Sequence, residues 1–394
     1  MLDKSDRALL AAALAALMTG AHGAETGIRP ADAPCIGERI YIGTHQQNGA
    51  QSIFTSTFDE QSGTFGIARA VSAVVRPTWL VKDPDRPVLY SVSETGNDGL
   101  SIGKVFSLRI QGATGDLEEI NQVPSGGGGP THLALDSRSH TLFVANFGTG
   151  HVAALPVADK GELDTPVSIG ADHGTGPTPR QRGPHAHGAT IDPTGRFVLV
   201  PDMGADRVFI YRFSAGRRAL VRADMPFLQL PPGSGPRHLS FSPDGRTAYL
   251  LTELTAELRV YGWDATRAML QPLQTLPIAG AGYQGARSAG EIVVSGDGRR
   301  VYVSSRGEDA IVTYAVDARS GRLSESQRIS SGGRQPWHLA LSPGGRWLLA
   351  SNEATGSVNV FAVDADNGRL TASNSRLEVA TPVNVVFAGA CPRR

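Results

Sequence analysis

Short apolar runs separated by turn-forming residues dominate the chain after Arg39, and the pattern is clearest near the C-terminal end. Pro336-Trp-His-Leu-Ala-Leu341 leads through Ser342-Pro-Gly-Gly-Arg346 into Trp347-Leu-Leu-Ala-Ser-Asn352-Glu353. Ser357-Val-Asn-Val-Phe-Ala-Val363 follows, and Asn367-Gly368 turns the chain into Arg369-Leu-Thr371. Runs of this length bounded by Gly, Pro, Asn and Asp read as strands, so the segment spells four strands, a to d, joined by tight turns.

Strand a recurs seven times, with copies beginning near Thr78, Thr131, His187, Arg237, Ala289, Trp337 and Pro382. The turns from a to b are near-identical: Asp192-Pro-Thr-Gly-Arg196, Ser242-Pro-Asp-Gly-Arg246, Ser295-Gly-Asp-Gly-Arg299 and Ser342-Pro-Gly-Gly-Arg346. Pro presets φ and Gly permits positive φ, which gives these hairpins a mechanism. Four strands repeated every 45 to 56 residues or so predict an all-β, seven-bladed β-propeller. Extended amphipathic helical periodicity is absent after residue 24, which argues against α/β folds.

The two ends sharpen this reading. The repeat opens on Ile40-Tyr-Ile-Gly-Thr44, which matches a strand b with no strand a before it. It closes on Val383-Asn-Val-Val-Phe387, a strand a with no strand b after it. The last blade is therefore expected to combine N-terminal strands with the C-terminal strand, leaving no open sheet edge. Cys35 and Cys391, the two cysteines, flank these strands where other blades have a covalent hairpin. A disulfide between them would replace that hairpin, worth roughly 5 kcal/mol in the chain-entropy view.

Composition agrees. Glycine, at 47 of 394 residues, is well above the usual share of about 7%, as many tight turns require. Lys+Arg and Asp+Glu both number 37, so nothing favours a nucleic-acid partner. Residues 8–18 are almost wholly apolar, behind Lys4 and Arg7 and ahead of small residues at 20–24. That layout predicts a signal peptide over 1–24, a short segment over 25–38 and a single propeller domain over 39–391, periplasmic or secreted. No other stretch is long and apolar enough to span a bilayer as a helix. A monomer is expected.

Strands alternate in direction, so the beginnings of strands a and the ends of strands b share one face of the disc. The repeated Arg196, Arg246, Arg299 and Arg346 fall on the opposite face and read as structural or solvated. The first face is chemically uneven. His132, His185, His187, Arg237, His238, Glu291 and His338 stand at the a side, and Glu94, Asn146, Asp202, Asp206, Arg207, Glu253, Arg306 and Glu353 at the b side. Ionisable groups crowded round a channel mouth mark a candidate site. Asn146 and Glu353 read rather as loop ties. His185 and His187 could supply half a metal site, but no third ligand is specified, and neither metal nor cofactor is expected. No nucleophile elbow or phosphate loop is present.

Four segments carry a family likeness: Pro184-His-Ala-His187, Asp202-x-Gly-x-Asp-Arg207, Pro232-Gly-x-Gly-Pro-Arg-His238 and Glu253-Leu254. With them the chain resembles the propeller-type lactonases, which include bacterial 6-phosphogluconolactonase and fungal 3-carboxymuconate cyclase. The resemblance implies a small-molecule lactone or carboxylate as partner and a lactone-ring reaction. It implies catalytic roles for His187, Arg237, Glu253 and Arg306, with His185, Asp202, Asp206, Arg207, His238 and Glu291 as substrate-binding neighbours. Either Glu253 or neutral His187 would serve as base. Thr252 and Ser305 replace the family's usual Asn. Pro336-Trp337 stands where many members carry Pro-Arg, and the missing cation points away from a phosphorylated substrate, as does export. The expected activity is hydrolysis of a sugar lactone or similar cyclic ester. The alternatives are a non-catalytic binding propeller and a muconate-type lactonising cyclase.

Overall fold

The computed structural model describes residues 37–47 and 51–390, so the predicted leader, Cys35 and Cys391 lie outside the described residues. Seven antiparallel sheets follow one another, six with four strands and one with five. The innermost strand of each blade, or the strand beside it, contacts the next blade right round the ring. Among the described residues no helix is long and apolar enough to cross a membrane.

The closing blade is built as the end strands predict. Glu38–Thr44 pairs on one side with Ile53–Asp59 and on the other with Pro382–Ala390. Tyr41 stands opposite Val386 and Ile42 opposite Val385. The ends of the propeller are thus tied by a ladder of backbone hydrogen bonds.

Strand b of each blade reads as a continuous apolar run because both its faces are buried. Side chains alternate along it, so each strand feeds two different blade interfaces. Leu142 and Val144 pack towards Val88 and Tyr90 of the preceding blade. Phe143 and Ala145 pack towards Val198 and Val200 of the following one. The same division recurs: Phe197 and Leu199 meet Ala248 and Leu250, while Tyr249 and Leu251 meet Val301 and Val303. The seventh interface joins Tyr41 to Leu80 and Leu89. The core is therefore a ring of seven wedges, and its centre is left to polar side chains.

The turns are as the sequence specifies. Gly195, Gly245, Gly298 and Gly345 take φ of 70°, 71°, 70° and 67°, which side-chain-bearing residues rarely adopt. In one of these turns Ser242 Oγ donates to Asp244 Oδ1 at 2.6 Å and accepts from the Thr247 amide at 3.0 Å.

Candidate active site

Two layers of side chains fill the mouth of the central channel, and each has a backbone cause. Where an innermost strand begins, the ladder slips by one residue in several blades, as between Pro236 and His238 and between Pro336 and His338. Such a bulge re-aims neighbouring side chains. Arg237 and His238, consecutive in sequence, thereby both line one cavity of about 200 Å³, and Trp337 lines it from the equivalent position.

The deeper layer is the floor. Trp79, His132, His238, Glu291, His338 and Asn384 each stand two residues after the first residue of their segments (Pro77, Pro130, Pro236, Ala289, Pro336 and Pro382). The corresponding position in the remaining blade is Gly188, where a Cβ would come within 3.0 Å of the Arg237 carbonyl and 3.6 Å of the His238 ring. Trp79 lies 4.2 Å from His132 and 5.2 Å from His238 between ring centroids. Nδ1 of His238 meets Oε1 of Glu291 at 2.9 Å. Burial holds the His132 and His238 imidazoles well below their ordinary range and pushes His338 down to about 4. It raises the Glu291 carboxyl against the pull of His338 and Arg237.

Above the floor, one carboxylate gathers three guanidinium groups. Glu253 Oε1 accepts from Arg180 Nη2 at 2.7 Å, and Oε2 lies 2.8 Å from Arg306 Nη2 and 3.7 Å from Arg237 Nη1. Burial alone would favour the protonated acid, but Arg306, Arg237 and Arg180 together outweigh it and hold the pKa at about 2. Arg237, 2% exposed, donates its Nε–H to the Gly290 carbonyl at 2.6 Å and Nη1–H to His187 Nε2 at 2.6 Å. Its own pKa falls to about 10 through burial and the neighbouring Arg306. Burial and Arg237 likewise keep His187 neutral. The Arg306 guanidinium stacks 4.3 Å over Trp337, and its buried Nε–H has no acceptor. An unmet donor on a residue that lines the cavity is a group that a developing oxyanion can use.

The model of the lactonase, seven-bladed β-propeller family matches residues 39–387. The chain belongs to this lactonase family. It is 30% identical over 296 residues to the 6-phosphogluconolactonase of Bacillus subtilis, covering 75% of this chain and 82% of that one. Among solved structures it is similar to the periplasmic gluconolactonase of Pseudomonas aeruginosa. That match has a TM-score of 0.84 and 36% identity, covering 90% of this chain and 99% of the other. A Lactobacillus plantarum protein matches with a TM-score of 0.82 and 29% identity, over 89% and 99% of the two chains.

The lactonase-family residues His187, Arg237, Glu253 and Arg306 do converge on the cavity, together with His238. Glu291 lies behind His238. The other expected binding residues stand elsewhere. His185 turns away from the cavity, bonding the Phe147 carbonyl at 2.8 Å and stacking on the Phe147 ring. Asp202 Oδ1 accepts the amides of His185 and Ala205, both at 2.8 Å. Asp206 accepts from Gln181 Nε2 and from the amides of Gly233 and Gly235. Arg207 caps the Phe227 ring and bonds Gln229 at the rim. These carboxylates hold the loops on which Arg180, His187 and Arg237 stand. Asn146 is a loop tie, donating to the Ser125 carbonyl at 3.1 Å. Glu353 pairs with His45 at 3.3 Å.

Sequence reasoning missed Arg180. It sits in the turn Pro179–Gln181, just ahead of the Pro184-His-Ala-His187 motif. A cation beside a site motif is the one signal that could have found it. Among the described residues no three His, Cys, Asp or Glu side chains are grouped to hold a metal ion.

Proposed function

We propose that this protein is an exported hydrolase that opens the lactone of an unphosphorylated sugar acid. The observation that carries the reading is the group of three arginines round the single carboxylate of Glu253, lining a closed-floored cavity. Its surplus positive charge suits an uncharged lactone whose carbonyl oxygen becomes anionic during attack and whose product is a carboxylate. The free Nε–H of Arg306 supplies a donor for that oxygen, and Arg237 stands beside it as a second cation.

A phosphate ester is less well served. Arg237 and Arg306 already share Glu253 and lie against the Trp337 ring at 5.6 and 4.3 Å. An aromatic wall there offers apolar surface to a sugar ring and no charge to a dianion. Export is supported by the apolar stretch over residues 8–18 and by similarity to a periplasmic gluconolactonase.

The test is proton release from δ-gluconolactone and from 6-phosphogluconolactone above the spontaneous rate, with Arg306→Ala as control. Acceleration that favours δ-gluconolactone and is lost in the variant is expected. A wild-type protein that accelerates neither lactone would overturn the reading.

A further inference from the structure

Hydrolysis needs a base, and neither Glu253 nor His187 is free to act as one. Glu253 Oε1 accepts from Arg180 Nη2 at 2.7 Å, and Oε2 is ion-paired with Arg306 Nη2 at 2.8 Å. A carboxylate stabilised in this way is a poor proton acceptor near neutral pH. His187 presents Nε2 to Arg237 Nη1 at 2.6 Å. Nη1 also lies 3.2 Å from Nδ1, and a guanidinium can only donate, so it crowds whichever ring nitrogen carries the lone pair.

His238 is arranged in the opposite sense. Its side chain lines the cavity, 4% of the residue is exposed, and Nε2 is buried with no partner. Nδ1 meets Glu291 Oε1 at 2.9 Å, and the same oxygen accepts the Ile292 amide at 2.9 Å. An oxygen already accepting one N–H is the acceptor for a second, which fixes the proton on Nδ1 and leaves the lone pair of Nε2 unpaired, buried at the edge of the cavity that the residue lines. The ring is faced by His132 and His187, each at 5.2 Å between centroids, and by Trp79. Arg237 and Arg306 oppose its protonation and Glu253 favours it. His338 lies 3.8 Å from the far oxygen of Glu291.

We propose that His238 is the general base of lactone opening and that Glu291 is the positioning residue that orients it. The proposal rests on the lactonase reading above. Nε2 takes a proton from water as the water oxygen bonds to the lactone carbonyl carbon. The carbonyl π pair moves onto its oxygen, within the field of Arg306 and Arg237. Return of that pair breaks the bond from the carbonyl carbon to the ring oxygen, which takes the proton from Nε2. One water is consumed, the hydroxy acid leaves, and imidazole is restored.

The experiment compares wild type, His238→Gln and Glu291→Gln on δ-gluconolactone across pH, with thermal melts to verify folding. His238→Gln is expected to lower kcat by about 10²- to 10⁴-fold with KM little changed, and to remove the rise of kcat/KM with pH. Glu291→Gln is expected to lower kcat and to move that rise to lower pH, which a merely structural role would not do. Full activity in folded His238→Gln would overturn the proposal and leave the lactonase reading standing. Inactive wild type would bring down both. Should the variants not fold, ¹⁵N spectra of the wild-type imidazoles decide: a neutral His238 protonated on Nδ1 is expected, and one protonated on Nε2 overturns the proposal.

Discussion

Arg237 Nη1 donates to His187 Nε2 at 2.6 Å while standing 3.7 Å from Glu253 Oε2. One buried cation thus helps to neutralise a carboxylate and stands against both ring nitrogens of the imidazole next to it. The family motif residues form a positively charged wall in which the basic groups are already spent.

Glu253→Gln separates structural from chemical roles in that wall. It leaves three guanidinium groups around an uncharged amide, and breaking buried pairing of this kind costs about 3–5 kcal/mol. The variant should melt well below wild type, with activity reduced. Its residual kcat/KM should still rise with pH, over a range moved lower because the negative charge that favours protonation of His238 is gone. Were Glu253 the base, with its pKa near 2, wild-type activity would instead be flat from about pH 4 upward.

Trp337→Arg should shift preference between substrates. It adds a cation beside Arg306 and Arg237 and removes the ring they lie against. The ratio of kcat/KM for 6-phosphogluconolactone to that for δ-gluconolactone should rise about tenfold, equal to about 1.4 kcal/mol. Stability should fall by about 0.5–2 kcal/mol from the lost cation–π contacts. Steady-state kinetics on both lactones and a melt check the two parts.

Acid should destabilise the fold before its ordinary carboxylates titrate. His132, His187, His238 and His338 are all held below the ordinary imidazole value by burial. Unfolding releases them, so the unfolded chain binds more protons below pH 6.5 or so, and stability rises with pH. The loss should begin as pH falls through about 6.5 and continue towards the value near 4 of His338. Each imidazole contributes about 1.4 kcal/mol per pH unit over its own window. Glu253 adds a loss of the same sign below its ordinary carboxylate range. Urea unfolding at pH 7.5 and pH 5 should show the lower midpoint at pH 5.

Closure of the ring should be a single point of failure. Val385 is buried at the seam, opposite Ile42. Val385→Asp places an unpaired charge in that core and should unfold the propeller or lower its stability by more than about 4 kcal/mol. Val221→Asp, at an outer-strand position that is 62% exposed, should change stability by no more than about 0.5 kcal/mol. Circular dichroism during thermal melting distinguishes them.

The same seam makes a prediction for the cysteines. Glu38 stands opposite Ala390 in the ladder, and Cys35 and Cys391 lie three residues before and one residue after that pair. Oxidised protein should titrate with no free thiol, and reduction should lower its melting temperature.

The architecture was legible in the sequence because its causes are local. Turn chemistry such as Ser242-Pro-Asp-Gly-Arg246 sets each hairpin, and the missing partners of Ile40–Thr44 and Pro382–Phe387 imply one another. The family resemblance also pointed to His187, Arg237, Glu253 and Arg306 as neighbours. Their chemistry was decided only by tertiary structure, because it depends on contacts between blades about fifty residues apart. Asp206 has the composition of a site residue, yet its oxygens are consumed by the amides of Gly233 and Gly235. Arg180 carries no motif, yet it reaches Glu253 from a different blade. His187 and His238 are the same residue type, each beside the start of an innermost strand. One stands against a guanidinium and the other is held by a carboxylate, and that difference arises only when neighbouring blades pack and bring Arg237 and Glu291 beside them.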